Sequence, residues 1–548
     1  MLIEKISKVP VIYLIDKIYR ITLYSVSLVR IEYSKKGLFD DANPLILDPS
    51  FNEVAPHKVK QTKKFFILST KYFELKIIPD GQRFDIGNLY FTIKEKKYTW
   101  QPGITDDKNL GGAMLDLYKF PEGKSNEKFT EGLISQNGYF VFRNHCEFLW
   151  DKRKNWIERK QDWESQDWYL FGYGSDYRRA FSDFIKLFGK IPVPPKWAFG
   201  YWYSRWYKFR DADILELINK FKSEKIPLDV FVIDTDWRKH IWNGYEWNRE
   251  LIPDYRKLLE ELKKQNVHTC LNDHPGYGQS DELPLDDPYR KKIEARFPGV
   301  EEYRIRWSDE RYVHAWLSEI FVKFLKEGID LWWVDGWGAT GGIMDFSSQL
   351  WLNRWYFEAA KRAGDNRRPM ILSRWGGIGS HKYPVQFSGD THSTYETLKH
   401  EISFTHKGGN IGASYWSHDI GGFLGEKLPE ELYIRWMQFG CFSPVFRTHS
   451  SKETRNPWDY SERALEIFRK YVKIRYSLFP YFYKLARECF DTGLPLIRGL
   501  YLEYPDDKNA YIYDEEYLIG KSLIIAPAYG PGKVFDRKVY FPKGNWIE

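Results

Sequence analysis

The sequence lacks two features that mark large classes of protein, namely long apolar runs and blocks of like charge. A membrane-spanning helix needs about 20 predominantly apolar residues, and the sequence contains no such run. The 82 basic and 75 acidic residues are interspersed and leave a formal charge of +7, which is typical of a solvated surface and not of a nucleic-acid-binding patch. We therefore expect neither a membrane nor a nucleic acid as a partner.

Cysteine is also scarce. The four cysteines, Cys146, Cys270, Cys441 and Cys489, lie far apart without CxxC spacing, so the sequence predicts neither a disulfide framework nor a zinc site. Residues 1–33 alternate apolar and polar side chains, which is the pattern of strands and not of a signal peptide. We expect a cytoplasmic protein, and the sequence leaves open whether it is a monomer or a homo-oligomer.

The motifs of several common active sites are missing. There is no HxH or HExxH spacing for a metal and no GxSxG elbow of a serine hydrolase. The glycine-rich loop 336–342 lacks the Lys-Ser/Thr of a P-loop. We therefore predict no metal and no cofactor. Aromatic residues, in contrast, make up 18% of the chain, and their flat rings suit sugar faces as well as protein cores.

Three regions differ in their pattern of apolar residues. Short alternating segments in residues 1–178 predict an N-terminal β-sandwich. Residues 179–492 alternate apolar runs with amphipathic stretches, which predicts a parallel sheet with crossover helices. Residues 493–548 are expected to be the incomplete start of a C-terminal β-sandwich. Its strand-like segments are 494–498, 518–520, 523–527 and 538–542.

The central region contains eight apolar runs, which predicts an α/β fold of the (β/α)8 TIM-barrel type. They are residues 197–203, 230–233, 268–271, 331–334, 369–372, 385–387, 411–416 and 443–446. Between them, one predicted helix carries Ile214, Ile218 and Phe221 on one face, and another begins after Asp254 as its N-cap. The span 273–311, rich in Pro and Gly, is expected to form an inserted loop over the barrel mouth.

Polar side chains follow nearly every run, and in a barrel these positions meet at one face, where active sites lie. They include Trp206, Asp234, Asp273, Asp335, Arg374, Asp390, Asp419 and His449. Two carboxylates with aromatic rings nearby are the groups that glycoside hydrolysis needs. The strand positions alone leave open which of the aspartates form the pair.

Several motifs, taken in order along the chain, resemble glycoside hydrolase family 31. They are Leu331-Trp-Trp-Val-Asp335, Ser373-Arg374, Phe387-Ser-Gly-Asp390, Ser417-His-Asp-Ile-Gly-Gly-Phe423 and Arg447-Thr-His449. The resemblance runs from the N-terminal sandwich into the C-terminal one. It implies a retaining, exo-acting α-glycoside hydrolase, with an α-glucosidase as the first expectation. Such an enzyme would release the terminal non-reducing sugar of an oligosaccharide or α-glycoside through a covalent glycosyl-enzyme intermediate.

The resemblance also implies a role for each site residue. Asp335 matches the nucleophile and Asp390 the general acid/base. The residues implied to bind the hydroxyl groups of the terminal sugar are Asp234, Arg374, Asp419 and His449, and those implied to form aromatic walls are Trp206 and Trp333.

One departure from the family pattern bears on the substrate. Asp335 is followed by Gly-Trp-Gly-Ala, where α-glucosidases of the family often have Met-Asn-Glu-Pro. The alternatives are therefore an α-xylosidase, an α-N-acetylgalactosaminidase or an α-transglycosylase. From a different class, the alternative is an inactive carbohydrate-binding protein.

Overall fold

The structure is a computed structural model. It describes residues 3–113, 116–122, 129–162, 164–275, 283–298, 307–335, 348–364, 367–451 and 453–547. Among these residues, no helix is both long and apolar enough to cross a membrane.

Antiparallel sheets form the N-terminal part of the chain. The described strands are β1 (Ile3–Lys8), β2 (Val11–Ile15), β3 (Tyr19–Ser25), β4 (Leu28–Tyr33), β5 (Lys58–Gln61), β6 (Phe66–Ser69), β7 (Phe73–Ile77), β8 (Leu89–Ile93), β9 (Tyr98–Trp100), β10 (Tyr139–Arg143), β11 (Phe148–Asp151), β12 (Trp156–Arg159) and β13 (Gln166–Gly172). One sheet has the order β1-β2-β3-β4-β13-β10, a second has the order β5-β6-β7-β8-β9, and β11 pairs with β12.

The two larger sheets pack face to face around a common apolar core. Strands β7 and β8 alternate buried and half-buried residues, as expected when one face of a sheet is covered. Strand β3 is buried along its whole length. Tyr19, Ile21 and Leu23 belong to the core that the two sheets share, and Tyr24 belongs to the core that also contains the barrel. The predicted N-terminal sandwich is therefore confirmed, and it rests directly on the next part of the chain.

The central part forms the predicted barrel. Its strands are β14 (Tyr201–Tyr203), β15 (Val230–Ile233), β18 (His268–Asp273), β19 (Leu331–Val334), β20 (Leu372–Arg374), β21 (Gln386–Phe387), β22 (Trp416–Ser417) and β23 (Phe446–Thr448), while β16 (Arg238–His240) and β17 (Asn243–Trp247) form a hairpin after β15. The parallel strands follow the order β22-β21-β20-β19-β18-β15-β14-β23. A parallel bridge between Ser417 and Val445 closes the ring.

Helices surround the barrel and connect its strands. They are α1 (Tyr177–Phe188), α2 (Asp211–Ser223), α3 (Tyr255–Lys264), α4 (Arg290–Arg296), α5 (Glu310–Trp316), α6 (Val322–Glu327), α7 (Ser348–Arg362), α8 (Tyr395–Gly409), α9 (Glu430–Phe442), α10 (Glu462–Ser477) and α11 (Phe479–Thr492). Asp254 caps α3 by accepting from Lys257 N, as predicted. Part of the predicted loop 273–311 lies outside the described residues, and its described portion contains α4.

The C-terminal part forms a small antiparallel sheet of β24 (Ile497–Arg498), β25 (Tyr517–Ile519) and β26 (Leu523–Ile525). The predicted strand at 538–542 is wrong, because those residues have no strand pairing. The backbone N–H of Tyr540 donates instead to the carboxylate of Glu516 at 3.2 Å. The domain boundaries at 178 and 492 stay a prediction.

Candidate active site

A cavity of about 400 Å³ opens at the carboxyl ends of the barrel strands. Six of the eight predicted site residues line it, namely Trp206, Asp234, Asp335, Arg374, Asp390 and His449. Each of these residues lies at or just after the carboxyl end of a different barrel strand. They come together because all such ends face the same side of a barrel. The convergence expected from the sequence is therefore present.

Arg374, at the end of β20, is the centre of the charge arrangement in this cavity. Its Nε donates to Oδ1 of Asp335 at 2.5 Å and its Nη2 donates to Oδ2 of Asp390 at 3.1 Å. Its Nη1 donates to Oδ2 of Asp116 at 3.0 Å. One guanidinium thus holds three carboxylates by direct hydrogen bonds, and charge-assisted bonds of this kind fix both position and orientation.

The two carboxyl groups predicted to be catalytic have raised pKa values. Burial raises the pKa of Asp390 to about 6, against the lowering effect of Arg374, and the negative charge of Asp335 adds to the rise. Burial also raises the pKa of Asp335, again opposed by Arg374. Asp335 receives the shorter bond from the guanidinium. We infer that the negative charge of the pair is held mainly on Asp335 and the shared proton mainly on Asp390.

His274 and Asp234 complete the polar wall. Burial lowers the pKa of His274 to about 3, so the imidazole whose Nε2 lies 3.5 Å from Oδ2 of Asp335 is neutral at pH 7. Burial raises the pKa of Asp234 to about 8. The Oδ1 of Asp234 accepts from Asn272 Nδ2 at 2.8 Å, and its Oδ2 lies 3.8 Å from Nε2 of His449. This wall offers both donors and acceptors to a ligand rich in hydroxyl groups.

Two predicted site residues, Asp419 and Trp333, do not line the cavity. Asp419 is fully buried and accepts a hydrogen bond from Arg447 at 2.5 Å. The ring of Trp333 is 1% exposed and lies 5.0 Å from that of His449. Trp333 therefore supports a residue that lines the cavity, whereas Asp419 is paired with Arg447 outside the lining.

Several lining residues escaped the sequence reasoning. They are Tyr118, Thr235, Trp242, Asn272 and Phe423, and Asp116 joins them through Arg374. His274, which follows the third predicted strand, also lines the cavity, and Asn272 lies one residue before the end of β18. Tyr118 and Asp116 belong to an excursion of the N-terminal sandwich, and no local pattern indicates that it reaches the barrel mouth. The glycine-rich loop 336–342 lies outside the described residues.

The described residues contain no group of three or more His, Cys, Asp or Glu side chains placed to hold a metal ion. Each described cysteine is buried and free of disulfide bonding.

Solved structures share this fold. The chain superposes with a TM-score of 0.77 on a mutant of the family 31 dextranase of Flavobacterium johnsoniae complexed with isomaltotriose, at 20% identity, over 97% of this chain and 75% of that one. It superposes with a TM-score of 0.74 on a family 31 α-xylosidase from a soil metagenome complexed with xylose, at 16% identity, over 97% of this chain and 92% of that one. At these identities the likeness establishes the fold.

Curated relatives align with most of this chain. α-Glucosidase 2 of Bacillus thermoamyloliquefaciens is 29% identical over 419 residues, which is 70% of this chain and 52% of the relative. An α-xylosidase of Saccharolobus solfataricus is 29% identical over 459 residues, which is 76% of this chain and 60% of the relative. The chain thus matches between about half and three-fifths of the length of these relatives.

Family models match two consecutive stretches. Residues 191–485 match the glycosyl hydrolases family 31 TIM-barrel domain, and residues 493–548 match the glycosyl hydrolase family 31 C-terminal domain. The first match alone spans more than half of the 548 residues and contains the strand ends that build the cavity. The chain therefore belongs to glycosyl hydrolase family 31.

Proposed function

We propose that the chain is a retaining, exo-acting α-glycoside hydrolase, and that its first activity is that of an α-glucosidase on oligosaccharides or α-glycosides. The observation that carries this proposal is the pair of carboxylates, Asp335 and Asp390, bound to neighbouring nitrogens of Arg374. Nε and Nη2 lie on one edge of the guanidinium, which favours the carboxyl separation of about 5–5.5 Å found in retaining enzymes over the about 6.5–9.5 Å of inverting ones.

The proposed reaction has two steps. In the first, a carboxylate oxygen of Asp335 bonds to the anomeric carbon while the bond to the leaving oxygen breaks, and Asp390 gives its proton to that oxygen. In the second, water attacks the anomeric carbon, its proton goes to Asp390, and the bond to Asp335 breaks. A pKa of about 6 for Asp390 suits a group that first gives and then takes a proton near neutral pH.

The shape of the cavity supports action at a chain end. Trp333 packs on the lining residue His449 and is 1% exposed, so the cavity is covered on that side. A cavity of about 400 Å³ that is covered on one side suits one terminal sugar, with the rest of the chain directed outward. Trp206 is 37% exposed, and its ring centroid lies 6.4 Å from that of Phe423 in a stacked arrangement. Aromatic faces therefore lie at the rim of the cavity, and such faces pack well against sugar rings.

The second candidate is an α-xylosidase. It is favoured by a specific observation, since curated α-xylosidases from an archaeon, a fungus and a bacterium match this chain at 29%, 26% and 27% identity. Xylose lacks the hydroxymethyl group of glucose, so an α-glucosidase and an α-xylosidase differ in whether the pocket has room for that group. α-N-Acetylgalactosaminidase and α-transglycosylase use the same pair of carboxylates and stay alternatives.

A panel of aryl α-glycosides tests the proposal. The glucoside, xyloside and N-acetylgalactosaminide are compared by kcat/KM, with the aryl β-glucoside as a control for anomeric selectivity. We expect turnover of the α-glucoside above that of the α-xyloside, and none in Asp335→Asn. If the xyloside is preferred, the second candidate replaces the first. Binding of sugars by calorimetry without turnover of any α-glycoside would instead indicate an inactive carbohydrate-binding protein.

Two further properties belong to the same proposal. We assign the protein to the cytoplasm, because its four cysteines are buried and free of disulfide bonding, as is usual in a reducing compartment. A homo-oligomer stays an alternative to a monomer, and sedimentation tests it.

A further inference from the structure

A second cavity lies at the opposite end of the barrel from the first. Its volume is about 580 Å³, which is within the range of about 300–1,000 Å³ typical of small-molecule sites. Its walls include Pro192, Pro369 and Tyr383, which precede β14, β20 and β21 along the chain. Residues before a barrel strand lie at its amino end, so this cavity is separate from the carboxyl-end mouth. Helix α7 contributes Arg354 and Glu358 to its walls, and the N-terminal sandwich contributes Asp48 and Trp150.

The charged side chains that line this cavity are mostly cationic. Five cationic side chains and two carboxylates line it. The cations are Lys152, Lys190, Arg354, Lys361 and Lys382, and the carboxylates are Asp48 and Glu358. The carboxylates neutralise surface cations, since Asp48 lies 3.5 Å from Lys152 and Glu358 lies 3.9 Å from Lys361.

Arg354 and Lys382 form no such ion pair. Within the described part of the chain, no carboxylate oxygen lies within 4.0 Å of their nitrogens. Arg354 donates to the hydroxyl of Tyr383 at 3.3 Å, and Lys382 donates to the carbonyl of Ile46 at 3.0 Å. These neutral acceptors satisfy part of the hydrogen bonding of the two side chains but supply no ion pair, and a partly buried cation without an ion pair is destabilised.

The positions of two of these cations are fixed by packing. The guanidinium of Arg354 lies 3.4 Å from the ring centroid of Trp150, so that face of the tryptophan is covered by a cation and is not free for a sugar. The stem of Lys382 packs against Gly189, where an added Cβ would lie 2.9 Å from Cδ of the lysine. Fixed donors lose little entropy when a ligand binds.

We propose that this cavity binds a small molecule that carries an oxyanion, with Arg354 and Lys382 as its principal donors. The fork of an arginine and the point charge of a lysine together suit phosphoryl oxygens. The volume exceeds that of a free phosphate ion, so an organic phosphate with a polar body fits the space. Asp48 and Glu358 then face the hydroxyl groups of that body. The site is independent of the proposed hydrolysis, since it shares no lining residue with the catalytic cavity.

Isothermal titration calorimetry of the full chain tests this site, with inorganic phosphate and glucose 6-phosphate as probes at constant ionic strength. We expect saturable binding of at least one. Equal affinity for both would show that the free anion is recognised, and tighter binding of glucose 6-phosphate would show that an organic phosphate is. The absence of saturable binding of either probe would overturn the proposal.

Matched variants locate the binding. Arg354→Met and Lys382→Met are each expected to weaken it at least about tenfold, because a hydrogen bond to a charged group contributes about 1.5–3 kcal/mol. Arg153→Met removes a cation next to Lys152 in the chain; its side chain is 94% exposed, pairs with Asp151 and does not line the cavity, so this variant should bind as the native chain does. Equal affinity in all three variants would overturn the assignment. Should either buried variant fail to fold, Lys190→Met and Lys361→Met remove exposed lining cations and should weaken binding in the same direction.

Proton uptake on anion binding distinguishes a direct role of Lys382 from a purely structural one, because a structural role would not change it. Burial lowers the pKa of Lys382 to about 7, helped by Arg354 and Lys361 and opposed by Asp48. The other charged groups facing it are Lys152, Lys190 and Glu358. A bound anion favours the ammonium form, so binding of sulfate near pH 8 should take up a proton, measured in buffers of different ionisation enthalpy. Uptake should vanish in Lys382→Met, and uptake retained there would contradict the role of Lys382. Hydrolysis should be unchanged in these variants.

Discussion

Asp116 accepts a hydrogen bond from Nη1 of Arg374 at 3.0 Å, although the two residues are 258 positions apart in the chain. Asp116 belongs to the N-terminal part of the chain and Arg374 ends a barrel strand. The sandwich therefore contributes a charge to the cavity and does not merely lie beside the barrel. The negative charge of Asp116 raises the pKa of both Asp335 and Asp390.

Replacing Asp116 should therefore shift the pH profile. In Asp116→Asn one negative charge is lost, so the pKa of Asp390 falls, and the proton needed by the leaving group is lost at lower pH. The alkaline limb of kcat/KM should move down by about 0.5–1 pH unit. The exposed Asp107→Asn is the matched control and should leave the limb in place. An alkaline limb that is unmoved or shifted upward in Asp116→Asn would contradict this coupling.

The two predicted aromatic walls should respond differently to truncation. Trp206 lines the rim, so Trp206→Ala should raise KM about three- to tenfold with little change in Tm. Trp333 is buried beneath the cavity, so Trp333→Ala should lower the free energy of unfolding by about 3–5 kcal/mol. Steady-state kinetics and urea denaturation separate the two effects. A stable Trp333→Ala with a raised KM would restore Trp333 to the pocket wall.

Asp419 should act mainly through Arg447. Both side chains are fully buried, and Asp419→Asn would leave the guanidinium without its partner, at a cost of about 3–5 kcal/mol in the free energy of unfolding. Burial raises the pKa of Asp419 to about 7, and Arg447 opposes the rise. Since a raised pKa means that protonation favours the folded state, the contribution of Asp419 to the free energy of unfolding of the native chain should be fully present in acid and should be lost as the pH rises through 7. Native-like stability in Asp419→Asn with a large rise in KM would show that the carboxylate contacts substrate directly.

The position of Asp335 could be predicted from the sequence because a strong local signal precedes it. An apolar run of four residues ends in a carboxylate, and a buried parallel strand delivers its next residue to the carboxyl edge of the sheet. The same reasoning placed Arg374 and Asp390. The resemblance to the family then suggested roles, which local patterns alone left open.

The orientation of neighbouring side chains was not predictable in this way. Trp332 and Trp333 are adjacent and equally apolar, yet they point to opposite faces of β19. Trp332 packs on Phe324 of α6 at 5.3 Å, while Trp333 packs on His449 inside the barrel. The pleat requires opposite directions, but only the register with the neighbouring strands decides which residue faces inward.

Residues that reach the cavity from distant parts of the chain, and the segment 538–542, were not predictable for a different reason. Asp116 and Trp242 reach the cavity through tertiary packing, which leaves no local periodicity. At 538–542, a short apolar and aromatic run suggested a strand, but a side-chain acceptor on Glu516 satisfies the backbone N–H of Tyr540 in place of a strand partner. Local pattern predicts a tendency, and the available hydrogen-bond partner decides the outcome.

The most direct test of the central assignment is the anomeric configuration of azide products made by two variants. An aryl α-glycoside with a good leaving group is given to Asp335→Gly and Asp390→Gly in the presence of azide, and the products are identified by NMR. If Asp335 is the nucleophile, azide replaces it in a single displacement and the product is the β-glycosyl azide. If Asp390 is the acid/base, Asp335 still forms the intermediate, and azide attacks it in a second displacement to give the α-glycosyl azide. The opposite pairing of products, or the same anomer from both variants, would contradict the roles assigned to these two aspartates.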